Sequence, residues 1–479
     1  MIKLLSLVLL GSTLSAVAQS PGTFVATGSM TTPRMGHTAT LLKDGRVLIA
    51  GGYDGHSVML ASAELYDPSA GTFISTGTMA IPRWNHTATR LTDGRVLIAG
   101  GGTAELYDPS KGTFTPTGKM LTLEGHTATL LSNGQVLITR GTVDYRTGAP
   151  TELYDPATGI FTQVGSLDLH KLASTATPLY GGKILLAGGS PFGDASLYDP
   201  ASGTFAFLDY FRIWSHSATL LTNGTVLVAG GADLDDWGEH ETIGTAQIYD
   251  PSLGSFKPTG SLLESRDGHT ATLLPSGLVL AAGGVRNYYL LLGSAELYDP
   301  SAGVFVPAGA MGVNRTSHTA TLLPDGRVLI TGGRDNWLPT PSSGRATADA
   351  RETAELYIPP VRIVSSSDSN HAAGYALRLE PDGKQTVLSA QATITLDDRP
   401  VYLILYATGV RNRSSLANVQ VTIGGISVPV EYAGPEGSGV PGLDQVNVRL
   451  TSTLKGLGVA NLVLTVDGIP SNTVSVDIR

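Results

Sequence analysis

Between residues 22 and 359 apolar and polar positions recur in one fixed order, and each pass contains four short runs with strand character. The first run alternates, as in His37-Thr38-Ala39-Thr40-Leu41-Leu42. The second, Val47-Leu48-Ile49-Ala50, is apolar on both faces and stops at Gly51-Gly52. The third reads Ala63-Glu64-Leu65-Tyr66-Asp67-Pro68 and the fourth Gly71-Thr72-Phe73. A run that is apolar on both faces predicts a strand sandwiched between neighbours. The glycine pair that ends it lets adjacent backbone approach closely.

The order repeats seven times, with first runs starting at His37, His86, His126, Ser174, His216, His269 and His318, about 48 residues apart. First and second runs are joined by two-residue pairs such as Asp44-Gly45, Asp93-Gly94 and Asn133-Gly134. Most such pairs tolerate the positive φ of a tight hairpin, so these runs pair antiparallel. The turn Asp67-Pro68-Ser69-Ala70-Gly71 and its equivalents join the third and fourth. Seven units of four short strands predict an all-β fold, a seven-bladed β-propeller. The last unit ends at Tyr357-Ile358-Pro359-Pro360 without a fourth run, while Gly22-Thr23-Phe24 is a fourth run with no unit before it. The N-terminal strand is therefore expected to complete the last blade, which leaves no open sheet edge.

Beyond Pro360 the repeat stops. Alternating segments such as Val401–Tyr406, Val419–Ile423 and Leu462–Val466, punctuated by Gly424-Gly425 and Asp467-Gly468, predict a β-sandwich over 361–479. Residues 1–18 carry one lysine, an apolar stretch and small residues at Ala16 and Ala18, the pattern of a secretory signal, so the propeller is expected over 19–360. No other segment approaches the roughly 18 apolar residues of a spanning helix, so no membrane insertion is expected. The net charge of −9 gives no overall electrostatic footprint for nucleic acid. With no cysteine there are neither disulfides nor thiolate metal sites, and a core of this size manages without them. Glycine, 59 of 479 residues, is abundant enough to furnish the turns of seven blades.

The combination of HTATLL, RVLIAGG, AELYDP and GTF resembles the Kelch repeat, in the variant shared with galactose-oxidase-like propellers, and covers about 70% of the chain. Where many Kelch repeats carry tryptophan in the fourth strand, this chain has Phe24, Phe73, Phe114, Phe161, Phe205, Phe256 and Phe305. The C-terminal stretch is similar to an immunoglobulin-like module found at the ends of bacterial exported proteins. That layout is also the layout of copper radical oxidases. Their redox centre includes a tyrosine covalently joined to a cysteine, which this chain cannot form.

In the Kelch family the segment before the first strand and the loop after the glycine pair lie on one face of the disc. Here the lead-in carries Arg34, Arg83, Lys171, Arg266 and Arg315, with Arg212 displaced by one place and Trp84 and Trp214 nearby. The post-glycine loops add Tyr53, Tyr145, Arg146, Trp237, Arg286, Tyr288, Tyr289, Arg334 and Trp337. Guanidinium forks among planar rings can hold carboxylates or sulfates and stack sugars. Equally, the repeated arginines can be scaffolding that pairs with neighbouring carboxylates or carbonyls. The third and fourth units break the pattern, with Leu123 for arginine, Arg140 for the first glycine and Ser174 for histidine. Asp233, Asp235 and Asp236 offer the oxygen ligands calcium prefers, without the spacing of an EF-hand. The six repeated histidines read as blade-to-blade hydrogen-bonding elements, since seven-fold separation spreads them too far for one ion.

These features lead to an expectation of a non-enzymatic binding module, exported to the cell surface or beyond. It would take a glycan or an extracellular protein on the loop face and need no cofactor. The alternatives are a carbohydrate-active enzyme (oxidase, epimerase or lyase) with its site at the channel mouth, and a structural surface-layer protein.

Overall fold

A computed structural model describes residues 22–479, apart from 57, 122–124, 140–148, 168–174, 190–192, 235–239, 288, 336–349, 364–371, 373, 381–384, 390–392, 398, 412, 414 and 438–441. The seven units form seven antiparallel four-stranded sheets, each with its strands in the order of the repeat. Sheet one comprises Thr38–Leu41, Val47–Ala50, Ala63–Asp67 and Thr72–Ser75. The first strands of successive sheets contact one another in a closed cycle, the seventh (Thr319–Leu322) meeting the first (Thr38–Leu41). They form the inner circle of the assembly.

The cycle is closed by chain pairing. The strand Thr23–Ala26 pairs antiparallel with Ala354–Ile358 in the seventh sheet, with Phe24 opposite Tyr357. Their ring centroids lie 4.9 Å apart. The same Tyr–Phe contact recurs in the other six sheets, from Tyr66–Phe73 to Tyr298–Phe305. In four sheets the buried tyrosine hydroxyl also reaches a threonine of the preceding sheet, as Tyr66 does with Thr27 at 2.9 Å. Tyr357 has Ala308 in place of that threonine and instead lies beneath Gly22, where a Cβ would stand 2.5 Å from its hydroxyl oxygen.

Every second strand is buried along its whole length, Val47–Ala50 and its six counterparts alike, because each sheet is covered on both sides by its neighbours. The following glycine permits that closeness. Gly51, at φ +62°, would place a Cβ 2.6 Å from the Arg83 carbonyl oxygen of the next sheet.

After Ile358 the chain enters two further sheets. One is built on Gly374–Leu379, Val401–Thr408, Leu443–Leu450 and Val430–Pro435, the other on Val419–Ile423, Gly458–Val466 and Val474–Ile478. Alternate residues of both, including Leu403, Val446, Val421 and Leu462, meet in one apolar core. This unit docks on the face that carries the hairpin turns. Arg362 pairs with Asp299 at 3.1 Å, and the Pro324 carbonyl oxygen accepts from Gly442 N–H and Arg411 at 3.2 and 3.3 Å. Arg411 is itself held by the buried carboxylate of Asp444. The opposite face, where the lead-in segments and post-glycine loops gather, is left open by this docking.

Candidate functional site

On the open face a left-handed residue precedes the histidine that leads into six of the seven first strands: Gly36, Asn85, Gly125, Ser215, Gly268 and Ser317, with φ between 47° and 66°. Glycine, asparagine and serine at this position make the conformation affordable, and a bulky or branched residue would not. Because the first strands form the inner circle, these residues make a rim around its mouth. Backbone hydrogen bonds run along the rim from sheet to sheet, Gly36 N–H to the Ser317 oxygen at 3.1 Å, Asn85 to Gly36 at 2.9 Å and Gly268 to Ser215 at 3.1 Å. Just outside the rim, lead-in and post-glycine loop exchange paired backbone bonds: Met35 with Tyr53, Trp214 with Ala232, Asp267 with Val285, Thr316 with Arg334. At these four positions the face is built on paired backbone.

Below the rim lie the histidines. Each Nε2 of His37, His86, His126, His216, His269 and His318 shares a hydrogen bond of 2.9–3.1 Å with a threonine or serine on the first strand of the preceding sheet. All six are buried. Burial pushes their pKa down, to about 3 for His37, His86, His269 and His318 and about 4 for His126 and His216. They are neutral joints between sheets, as their once-per-unit recurrence implied.

The repeated arginines are not on the surface, and here the expectation of a guanidinium face is corrected. Arg34, Arg266 and Arg315 are fully buried, and Arg83 is 4% exposed. Each pairs with the glutamate of its own AELYD strand: Arg34 with Glu64 at 3.0 Å, Arg83 with Glu105 at 3.1 Å, Arg266 with Glu296 at 2.7 Å, Arg315 with Glu355 at 2.6 Å. Each also donates to two backbone carbonyls and a hydroxyl, as when Arg34 donates to the Gly51 and Ser62 carbonyl oxygens and to the Ser62 hydroxyl. Desolvation lowers the Arg34 and Arg315 pKa values against the raising effect of the glutamates. The other carboxylate oxygen accepts a backbone N–H of the lead-in, Thr31 on Glu64 and Gly312 on Glu355. These arginines tie each lead-in to its sheet and cannot reach a ligand.

The signal for this was present in the repeat. Where the arginine is displaced, at Arg212, the AELYD glutamate is Gln247, and in the fourth unit it is Ser196, while the third unit keeps Glu152 with Leu123 in the arginine's place. Arg266→Ala is expected to leave Glu296 buried without its cation and to cost about 3–5 kcal/mol. Arg286→Ala, at a surface contact of 3.9 Å to Glu264, should cost about 1 kcal/mol or less. Urea unfolding of both variants measures the difference, and equal costs would show that the buried pair is not what secures the lead-in.

Of the remaining sequence candidates, Trp84 is 39% exposed and lies beside Tyr53, and Trp214 is half-buried behind the rim at Ser215. Arg334 is half-buried, and burial lowers its pKa while the Asp267 carboxylate of the neighbouring sheet raises it. Arg140, Tyr145, Lys171, Trp237, Tyr288 and Trp337 lie outside the described residues, as do Asp235 and Asp236 of the proposed calcium loop. Asp233 is described, with Oδ1 accepting the Leu234 N–H at 2.8 Å. Sequence reasoning missed the left-handed rim, although glycine, asparagine or serine stands before the histidine in all six histidine-bearing units.

The sequence matches no protein-family model and no curated protein. The structure is similar to that of a fungal alcohol oxidase of the AA5 family in complex with copper, with a TM-score of 0.60 at 16% identity, over 96% of this chain and 100% of that one. The chain thus has a β-rich fold of the galactose-oxidase-like kind. The expectation of a non-enzymatic binding module is corrected accordingly: its basis in exposed repeated arginines is gone, and the similar structure is that of an enzyme. Copper itself does not fit the described residues. Among them no group of three or more His, Cys, Asp or Glu is placed to hold an ion, and the ring histidines spend Nε2 on neighbouring hydroxyls.

Proposed function

We propose that the chain is an exported carbohydrate-active enzyme. It is read as a secretory signal over 1–18, a seven-bladed Kelch-type propeller over 19–360 closed by its N-terminal strand, and an immunoglobulin-like β-sandwich over 361–479. The site is the mouth of the channel on the open face, where Trp214, Asn85, Asp267 and Arg334 stand on or behind the rim. The observation that carries this reading is the likeness to an alcohol oxidase across nearly the whole chain, C-terminal unit included. Among the enzymatic classes it favours oxidation of a hydroxyl group over epimerisation or lysis. The absence of cysteine excludes the thioether-linked tyrosine of the copper radical oxidases, so an oxidation here has to proceed without that group. Fold likeness sets the class of reaction to look for, and the residues at the mouth decide it.

The test is a turnover screen of the mature protein on primary alcohols, monosaccharides and oligosaccharides, with and without added copper, following oxygen uptake, peroxide, epimers and unsaturated products. Turnover of at least one substrate is expected, with kcat/KM reduced about tenfold or more by Arg334→Ala, the loss of a charged hydrogen-bonding group. A folded protein inert on the whole panel would remove the enzymatic reading.

A further inference from the structure

We propose that Tyr53 and Trp84 form a stacking platform for a neutral pyranose ring, a subsite beside the mouth that makes the substrate of the proposed enzyme an oligosaccharide. The two rings lie 6.0 Å apart with their planes at 48°. Trp84 stays 39% exposed although its neighbour Arg83 is buried and tied to Glu105. Its other neighbour, Asn85, is fixed in the left-handed conformation by the bond to Gly36. Tyr53 is held through both backbone groups to Met35 at 2.9 and 3.0 Å. The loop it opens is closed by Asp54, whose Oδ1 accepts the His56 and Val58 N–H groups at 2.7 and 3.0 Å. Backbone bonds hold both attachment points and the two rings rest against each other, which reduces the ordering entropy lost on binding.

Charge and polarity select the ligand. An indole and a phenol present flat apolar faces to the C–H face of a sugar, while Asn85, Asp54 and exposed His56 supply hydrogen-bonding groups around them for hydroxyls. The lead-in's one cation, Arg83, is spent on Glu105 and backbone carbonyls, and Asp54 stands beside Tyr53, so an acidic sugar would meet a carboxylate. Because Asn85 belongs to the rim, a ring stacked on Trp84 lies directly beside the mouth, and a chain of sugars can occupy both.

Isothermal titration calorimetry with neutral hexasaccharides of glucose, xylose, mannose and galactose, and with an oligogalacturonate, tests this on the mature protein. At least one neutral hexasaccharide should bind, about tenfold more weakly to Trp84→Ala and less affected by Trp84→Phe, with oligogalacturonate bound more weakly than the neutral chains. Circular dichroism confirms folding of the variants, whose altered side chain is at the surface. No binding of any neutral chain, wild-type affinity in Trp84→Ala, or preference for the acidic chain would overturn the proposal. In turnover, Trp84→Ala should raise KM for the hexasaccharide relative to the monosaccharide. An unchanged ratio sinks the platform and leaves the enzyme standing. Binding lost in Trp84→Ala, with no product from any sugar, sinks the enzyme and leaves the platform.

Discussion

Lowering the pH from 7 to about 5 is expected to unfold the ring of seven sheets in one steep transition. Six histidines join its sheets as neutral, buried groups whose folded pKa values are held at about 3 to 4. Desolvation is the main cause, and behind four of them the guanidinium groups of Arg34, Arg83, Arg266 and Arg315 oppose a second positive charge. In the unfolded chain the same rings titrate near 6.5. Below that value the unfolded state binds more protons than the folded one, so stability is complete above about pH 6.5 and falls as the pH drops toward the folded values. Each ring removes about 1.4 kcal/mol per pH unit in that window. Six together remove on the order of 10 kcal/mol by about pH 5, which is comparable with the whole stability of an ordinary domain. Urea midpoints by circular dichroism between pH 8 and 4.5 measure the slope, and His86→Gln should reduce it by about one proton. A flat stability profile across that range would show that the rings are not neutral joints.

Removing Thr23–Ala26 is expected to open the ring and abolish its single cooperative melt. The deletion takes away the four-residue pairing with Ala354–Ile358, uncovers Tyr357 and leaves a central strand as an exposed edge. The milder change Phe24→Ala, which removes one half-buried ring from Tyr357, should cost about 2–3 kcal/mol. Phe114→Ala makes the same truncation inside one continuous sheet, against Tyr107. The two point variants should lose similar stability. Only the deletion should give early hydrogen exchange in both the first and the seventh sheet, because only it separates the two ends of the cycle. A truncated protein that melts at the wild-type temperature with one transition would mean that closure contributes nothing.

Much of this architecture was legible before any coordinates because it is periodic. Val47–Ala50 and its repeats announced a strand covered on both faces, Asp44-Gly45 its hairpin, and the unmatched Gly22-Thr23-Phe24 the closing strand. The first two are local patterns that recur in the units, and the third stands out because it lacks a unit of its own. The arginines show the limit of such reading. Arg34 and Arg334 look alike in sequence, both cations near a loop, yet one is sealed against Glu64 and the other is half-buried near Asp267 across a sheet boundary. The arginine occurs only in units that carry the AELYD glutamate, although the third unit keeps Glu152 with Leu123 in the arginine's place, and a charge on a lead-in segment does not by itself reveal which way it turns.

What the amino-acid order decided alone is the inventory: seven four-strand units, a latch formed by the two ends of the repeat, a change of pattern after Pro360, and no cysteine. These follow from backbone preferences and apolar periodicity, which act over a few residues at a time. What only the tertiary structure decided is which polar groups are spent and which are offered. The C-terminal unit settled on the turn face through Arg362, Arg411 and Gly442, four arginines turned inward, and Tyr53 met Trp84 on the open side. Those outcomes depend on desolvation and on contacts between residues far apart in the chain, and the cost of burying a charge is set by its partner in space.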